Sequence, residues 1–201
     1  MGPSPVAYPV GMARWEPDAQ DRLLRAALDL FAEQGYDDTT VIEIARRAGL
    51  TKSTFFRHFR DKREVLFGGQ DLLNGLLAEG IANAPGTATP LDAVEAALDA
   101  VATVFTPARR DYAPALVAAI ANNSELRERD ALKRTGFAET MTAALRRRGV
   151  SDRPASVAAW LGVLAFGAAY SRWADPANHQ GFGELARQAL HELRTTIAEL
   201  R

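Results

Sequence analysis

Apolar residues recur along this chain at the three- and four-residue spacing of helices, and no stretch shows sustained strand alternation. Leu23, Ala26, Ala27, Leu30 and Phe31 make one face of a helix from about Asp18 to Gln34, and Gly35 is its stop. Val41, Ile44, Ala45 and Ala48 give a short second stripe. A third short segment places Phe55 and Phe59 toward a small core. Asp61 caps a longer helix carrying Val65, Leu66, Leu72, Leu73, Leu76 and Leu77. Gly68 and Gly69 interrupt it, as a kink or hinge or as a flexible spot with no role. Residues 84–90 form a loop. Helical patterns follow at roughly 90–105, 108–122, 124–149, 153–174 and 182–200. Pro114 should kink or divide the second of these. The chain reads as all-α, about nine helices.

The run from Thr39 to Phe59 carries the most information. Thr40 and Glu43 have the spacing of a capping box, in which each satisfies the other's backbone N–H. Gly49 sits where a tight turn needs positive φ. Leu50 plugs that turn and Thr51 is placed to cap the next helix. Lys52, Ser53 and Thr54 then present small or basic groups suited to phosphates and base edges. Phe56 and His58 lie on or near the same outer surface, His58 as a packing or phosphate-contact residue. Two short helices joined in this way form a helix-turn-helix, whose second helix enters a DNA major groove. An ordinary helical hairpin is the competing reading.

Net charge over the 201 residues is −1, which is unremarkable for a nucleic-acid binder only once it is resolved along the chain. Residues 46–63 hold seven cations against Asp61 alone, a local net of +6, whereas residues 15–45 hold two arginines against eight carboxylates, a net of −6. Phosphate binding follows the local field. The chain has no cysteine, which excludes disulfides, thiolate metal sites and a cysteine nucleophile, and fits a cytoplasmic location. No secretory signal is expected at the N-terminus, and no apolar run is expected to span a membrane. His58, His179 and His191 share no metal-ligand spacing, and no catalytic or phosphate-loop motif is present, so neither an enzyme nor a cofactor or metal site is expected.

The stretch from about Arg22 to Leu66 resembles the DNA-binding domain of the TetR (tetracycline-repressor) family. The resemblance rests on Leu30-Phe31, Gly35-Tyr36, Thr39-Thr40-Val41, Ala45, Ala48-Gly49, Thr54, His58-Phe59, Lys62 and Leu66. Ser53 stands where the family often has glycine, and Phe56 where a tyrosine is usual. The resemblance implies a dimeric DNA-binding regulator, a repressor released by a small-molecule effector. It implies contacts to a palindromic duplex from Thr40, Thr51, Lys52, Ser53, Thr54, Phe56, His58 and Lys62, the last meeting the phosphate backbone. It also implies a ligand cavity, for which Phe105, Phe137, Met141, Trp160, Phe166 and Tyr170 are the candidate lining.

Three parts are expected: a mobile arm at 1–17, the helix-turn-helix domain at 18–67, and an effector-binding and dimerisation domain at 68–201. Residues 155–170 are apolar nearly all round, so that helix must be covered on every side. Leu185, Ala189, Leu193, Ile197 and Leu200 make a further stripe. The helices at 153–174 and 182–200 are the expected homodimer contact, in agreement with the resemblance, and a monomeric core is the competing reading. The alternative is a helical interaction or enzyme domain with a fortuitous helix-turn-helix-like segment. Salt-sensitive retention on heparin or DNA separates the two.

Overall fold

The computed structural model describes residues 19–200; the proposed arm at 1–17 lies outside them. Among the described residues there are eleven helical segments and no strand. They are α1 (Ala19–Gln34), α2 (Val41–Arg47), α3 (Lys52–His58), α4 (Glu64–Phe67), α5 (Gln70–Asn83), α6 (Pro90–Ala102), α7 (Pro107–Arg110), α8 (Ala113–Asn122), α9 (Ser124–Arg147), α10 (Asp152–Trp173) and α11 (Phe182–Glu199). Nine have seven or more residues; α4 and α7 are single turns of four.

Local chemistry accounts for most of these ends. Thr40 with Glu43 and Thr89 with Asp92 form complete capping boxes, and Pro90 occupies the first turn of α6, where its missing N–H costs nothing. The Asn123 side chain accepts from Leu126 N to start α9. Gly35 and Gly149 take φ of 86° and 87° just beyond α1 and α9.

Two expected helices are divided. The one over 61–83 breaks because Gly68 (φ −54°, ψ 142°) and Gly69 (φ 86°, ψ 7°) form a type II turn, which favours glycine at its second central position. The one over 108–122 breaks at Asp111–Tyr112. Pro114 falls in the first turn of α8, so it helps to start that helix rather than to kink it.

Two apolar clusters form. The first joins Leu23, Phe31, Ile44, Phe55, Phe59 and Leu66 beneath α1–α4. The second fills the body, where α10 packs on α9 and α11, and α5 on α6 and α9. At the α5–α6 crossing, Gly80 brings two backbones together: a Cβ there would sit 2.6 Å from Ala97 Cα. The chain also returns to the head. Leu126 is fully buried in the first cluster, and Tyr112, Leu116, Ala119 and Ile120 pack against it. Tyr36 donates a long hydrogen bond to Glu125, 3.4 Å, across the same seam.

Candidate nucleic-acid interface and cavity

The helix-turn-helix is locked from within. Gly49 has φ 67°, and Leu50 N donates back to Ala45 O at 2.8 Å, closing the turn. Arg22 donates to Ala48 O at 2.5 Å, capping the end of α2 from α1. Thr51 accepts from Thr54 N at 3.1 Å. Phe55 is wholly buried and Phe59 nearly so, so the opposite face of α3 is turned outward. That face shows Lys52, Ser53, Phe56 and Arg57, all exposed. The Lys52 ammonium lies 5.9 Å from the Phe56 ring centroid, so the exposed ring helps to hold the cation.

Thr40, Thr51 and Thr54 occupy the expected edge, with their hydroxyls engaged locally. The Thr40 hydroxyl donates to Glu43 Oε2 at 2.7 Å, and the Thr51 and Thr54 oxygens are 3.0 Å apart. Of the seven cations in residues 46–63, Arg47 pairs with Glu33 (2.6 Å) and Arg63 with Asp61 (2.8 Å). Arg46, Arg57 and Arg60 are exposed and have no ion pair or hydrogen bond among the described residues. The sequence pattern did not single them out individually; they belong to its local charge excess.

Two expectations need correction. Lys62 does not present its ammonium outward. It donates to Tyr36 O (2.6 Å), Thr39 O (3.1 Å) and Asp37 O (3.2 Å), and sits 4.1 Å from the Tyr36 ring centroid. All three donors of the ammonium are used, which makes Lys62 a clamp on the α1–α2 loop rather than a phosphate ligand. His58 is half-buried, with Nε2 sealed from solvent and unpaired. It lines a partly open cavity instead of the outer face.

That cavity, of about 750 Å³, lies between head and body. The head side offers Leu24, His58, Phe59 and the Gly68–Gly69 turn. The body side offers Phe105, Phe137, Phe166, Tyr170 and Trp173. These five aromatics are mutually packed; Phe105, for example, meets Trp173 edge-on at 5.1 Å. Four of the six expected lining residues are thus brought together. Met141 is not among them: it is buried in the core, where its thioether faces Gly162. Trp160 is not either, being 45% exposed on the outer side of α10. Trp173 takes the place the sequence reading gave to Trp160. Burial pushes the Tyr170 phenol well above its ordinary range, so it stays neutral.

The cavity also carries cations. Arg129 pairs with Glu64 (2.7 Å) and reaches Gln70, and Arg134 pairs with Asp130 (2.7 Å). Lys133 and Arg109 have no carboxylate partner among the described residues. The Lys133 ammonium stands 5.7 Å from the Phe67 ring and 5.6 Å from that of Phe137. Burial pushes it down to about 8.

Helix α10 is half covered. Ala155, Ala158, Ala159, Gly162, Val163, Ala165, Ala169 and Trp173 face the body, whereas Val157, Trp160 and Leu164 are exposed in one stripe. Ile197 and Leu200 are exposed on or just past α11. The expectation that no segment reaches membrane-spanning length is also corrected. α10 has 22 residues at mean hydropathy 1.3, long and apolar enough to cross a membrane by length and composition. Its inner face is instead spent on packing against α6, α9 and α11.

A capped two-helix unit with a free basic face, carried on a larger helical body, defines a helix-turn-helix protein of the nucleic-acid-binding class. Residues 23–67 match the family described as bacterial regulatory proteins, tetR family. The transcriptional regulator TcmR of Streptomyces glaucescens is 38% identical over 82 residues, which cover 41% of this chain and 36% of TcmR. SrpR of Pseudomonas putida, also a transcriptional regulator, is 43% identical over 49 residues, 24% of this chain and 23% of SrpR. The alignments therefore span about a third or less of these relatives. Across the fold, SmeT in its triclosan complex superposes with a TM-score of 0.57 at 22% identity, covering 90% of each chain. Residues 23–67 are thus similar to the DNA-binding segment of the tetR family, and the relatives named here are transcriptional regulators.

Proposed function

We propose that this chain is a dimeric, sequence-specific transcriptional regulator acting in the cytoplasm, a repressor released when a small molecule occupies the cavity. The observation that carries the reading is the outward face of α3. Lys52, Ser53, Phe56 and Arg57 stand free, beside the free cations Arg46 and Arg60, on a motif whose caps and turn are all internally satisfied. Base readout belongs to Thr51, Lys52, Ser53 and Thr54, with Thr40 and Phe56 at the flank. Phosphate attraction belongs to the arginines. The useful division remains a DNA-binding unit at 18–67 and an effector and dimer unit at 68–201.

The exposed Val157–Trp160–Leu164 stripe supports homodimerisation through α10 and α11, since a contiguous apolar patch on such a helix is a protein contact. A twofold dimer presents two α3 helices to a near-palindromic site, with half-sites about 34–36 Å apart or a multiple of it. SmeT, similar in fold, is described with triclosan bound, which fits a small aromatic effector.

Selection of bound duplexes from a random pool, followed by sedimentation of the free protein, tests the reading. An inverted repeat and a dimer are the expected result. Recovered sites without inverted symmetry, together with a monomer, refute it.

A further inference from the structure

The cavity is aromatic on its body side, yet two of its cations, Lys133 and Arg109, form no ion pair with a carboxylate among the described residues. Lys133 projects from the middle of α9 between the rings of Phe67 and Phe137. Arg109, on α7, lines the same space. Of the four carboxylates in the lining, Asp130 holds Arg134 and Glu64 holds Arg129, and neither Asp21 nor Asp71 forms an ion pair with Lys133 or Arg109. Ring faces compensate a cation only in part, because their quadrupole is weaker than a full counter-charge. A cation withdrawn from water without an anion is costly, and the most direct relief is an anion brought by a ligand.

From this geometry we infer that the effector is an anionic amphiphile, an aromatic or apolar body bearing a carboxylate-type group, whose anion pairs with Lys133 beside Arg109 while its body lies against Phe105, Phe166, Tyr170 and Trp173. This deepens the effector reading above and rests on it. The depressed affinity of Lys133 for its proton agrees with a site short of negative charge. A neutral hydrophobe of the same shape fills the aromatic side and leaves Lys133 uncompensated, so it binds less well. A cationic ligand is disfavoured by both free cations.

The test uses two fluorescent probes with the same ring system, anionic 1-anilinonaphthalene-8-sulfonate and neutral N-phenyl-1-naphthylamine. The protein is the full chain with Trp15→Phe and Trp160→Phe, so that Trp173, in the cavity wall, is the only tryptophan. Quenching of Trp173 then weights binding in the cavity, against the ring, over binding farther away on the outer face of α10. The anionic probe should bind about tenfold more tightly than the neutral one, the worth of one good charge-assisted contact. Lys133→Met should bring the two affinities together, and Lys133→Arg should restore the preference.

Equal or tighter binding of the neutral probe to the parent protein overturns the charge assignment while leaving the cavity reading intact. It needs no substitution at Lys133. A preference that survives Lys133→Met in a protein with unchanged circular dichroism also overturns it. Failure of both probes to quench Trp173 overturns the effector reading itself.

Discussion

Lys62→Met separates a clamp from a phosphate contact. Methionine keeps most of the apolar stem and removes every donor. The lost contacts are three hydrogen bonds from one ammonium, at 2.6, 3.1 and 3.2 Å, and a ring contact at 4.1 Å. A hydrogen bond to a charged group contributes ~1.5–3 kcal/mol, and a cation–π contact contributes ~0.5–2 kcal/mol. These do not add, because the three bonds share one charge and water reaches the exposed Asp37 side once the clamp is gone. A net loss of roughly 2–3 kcal/mol in the stability of the head follows. Urea unfolding, followed by circular dichroism, should show an earlier transition. DNA affinity should be measured against salt on a site recovered by selection. A phosphate contact removed from each protomer lowers the log–log slope by about 0.9 per protomer; loss of a clamp leaves the slope where it was. An unchanged unfolding midpoint with a slope lowered by that amount would falsify the clamp.

Gly80→Ala should destabilise the body by roughly 2 kcal/mol. The new Cβ meets Ala97 Cα at 2.6 Å and Ala96 O at 2.8 Å, backbone atoms that move only if α5 and α6 separate. Gly75→Ala, in the same helix but facing open space, should instead stabilise by up to about 1 kcal/mol, and thermal melts of the pair check both signs. Leu164→Glu should yield a monomer in sedimentation with the melting profile of a folded helical protein, because the residue is 57% exposed and packs on nothing in its own chain that needs it apolar; a persistent dimer moves the interface elsewhere. Stability should rise with pH from about 8 toward 10 in the parent and less so in Lys133→Met. The native lysine loses its proton near 8 while the unfolded one keeps it to its ordinary value of 10.5, so the unfolded state binds more protons in that window. The titratable and charged groups that share the cavity lining with Lys133 are Asp21 on α1, His58 on α3, Glu64 on α4, Asp71 on α5, Arg109 on α7, Arg129, Asp130 and Arg134 on α9, Tyr170 on α10, and Arg60 and Tyr112 between helices, and the difference between the two proteins isolates Lys133 from them.

The parts of this fold that were legible in sequence are those set within one or two turns of chain. The Thr40–Glu43 box, the Gly49 turn and the apolar stripe of α1 each depend on residues no more than eight apart, so spacing alone identifies them. The Gly68–Gly69 interruption was visible, but not that it is a tight turn separating two helices. The contacts that change the site span longer distances. Lys62 finds Tyr36 O across 26 residues, and a basic residue in a basic stretch gives no sign that its charge is turned inward. Trp160 and Trp173 lie on one apolar helix, and composition does not say which faces the cavity. The packing of α9 and α11 decides it. The return of α8 to the head was likewise invisible, because Leu116 and Ile120 look like any apolar pair on a short helix.

That return bears on how the two ends of the molecule communicate. α9 enters the head core with Leu126 and the body core with Phe137, Met141 and Leu145. Between those anchors, Arg129 ties α9 to Glu64 of α4 and Gln70 of α5, and Lys133 stands one turn further along. The cavity wall itself is drawn from both units, so a ligand there touches head and body at once. On the proposed reading, coupling to DNA needs no relay through a distant core. It needs only that the head–body arrangement which shapes the cavity for the ligand differ from the one that spaces two α3 helices for the operator. Any such difference is reciprocal: a ligand that weakens operator binding by some factor must itself be bound more weakly, by the same factor, when operator is present. The Arg129–Glu64 pair lies on this seam. It is half-buried, with side chains 26% and 30% exposed, and it bridges α9, which carries Lys133, to α4, which follows α3.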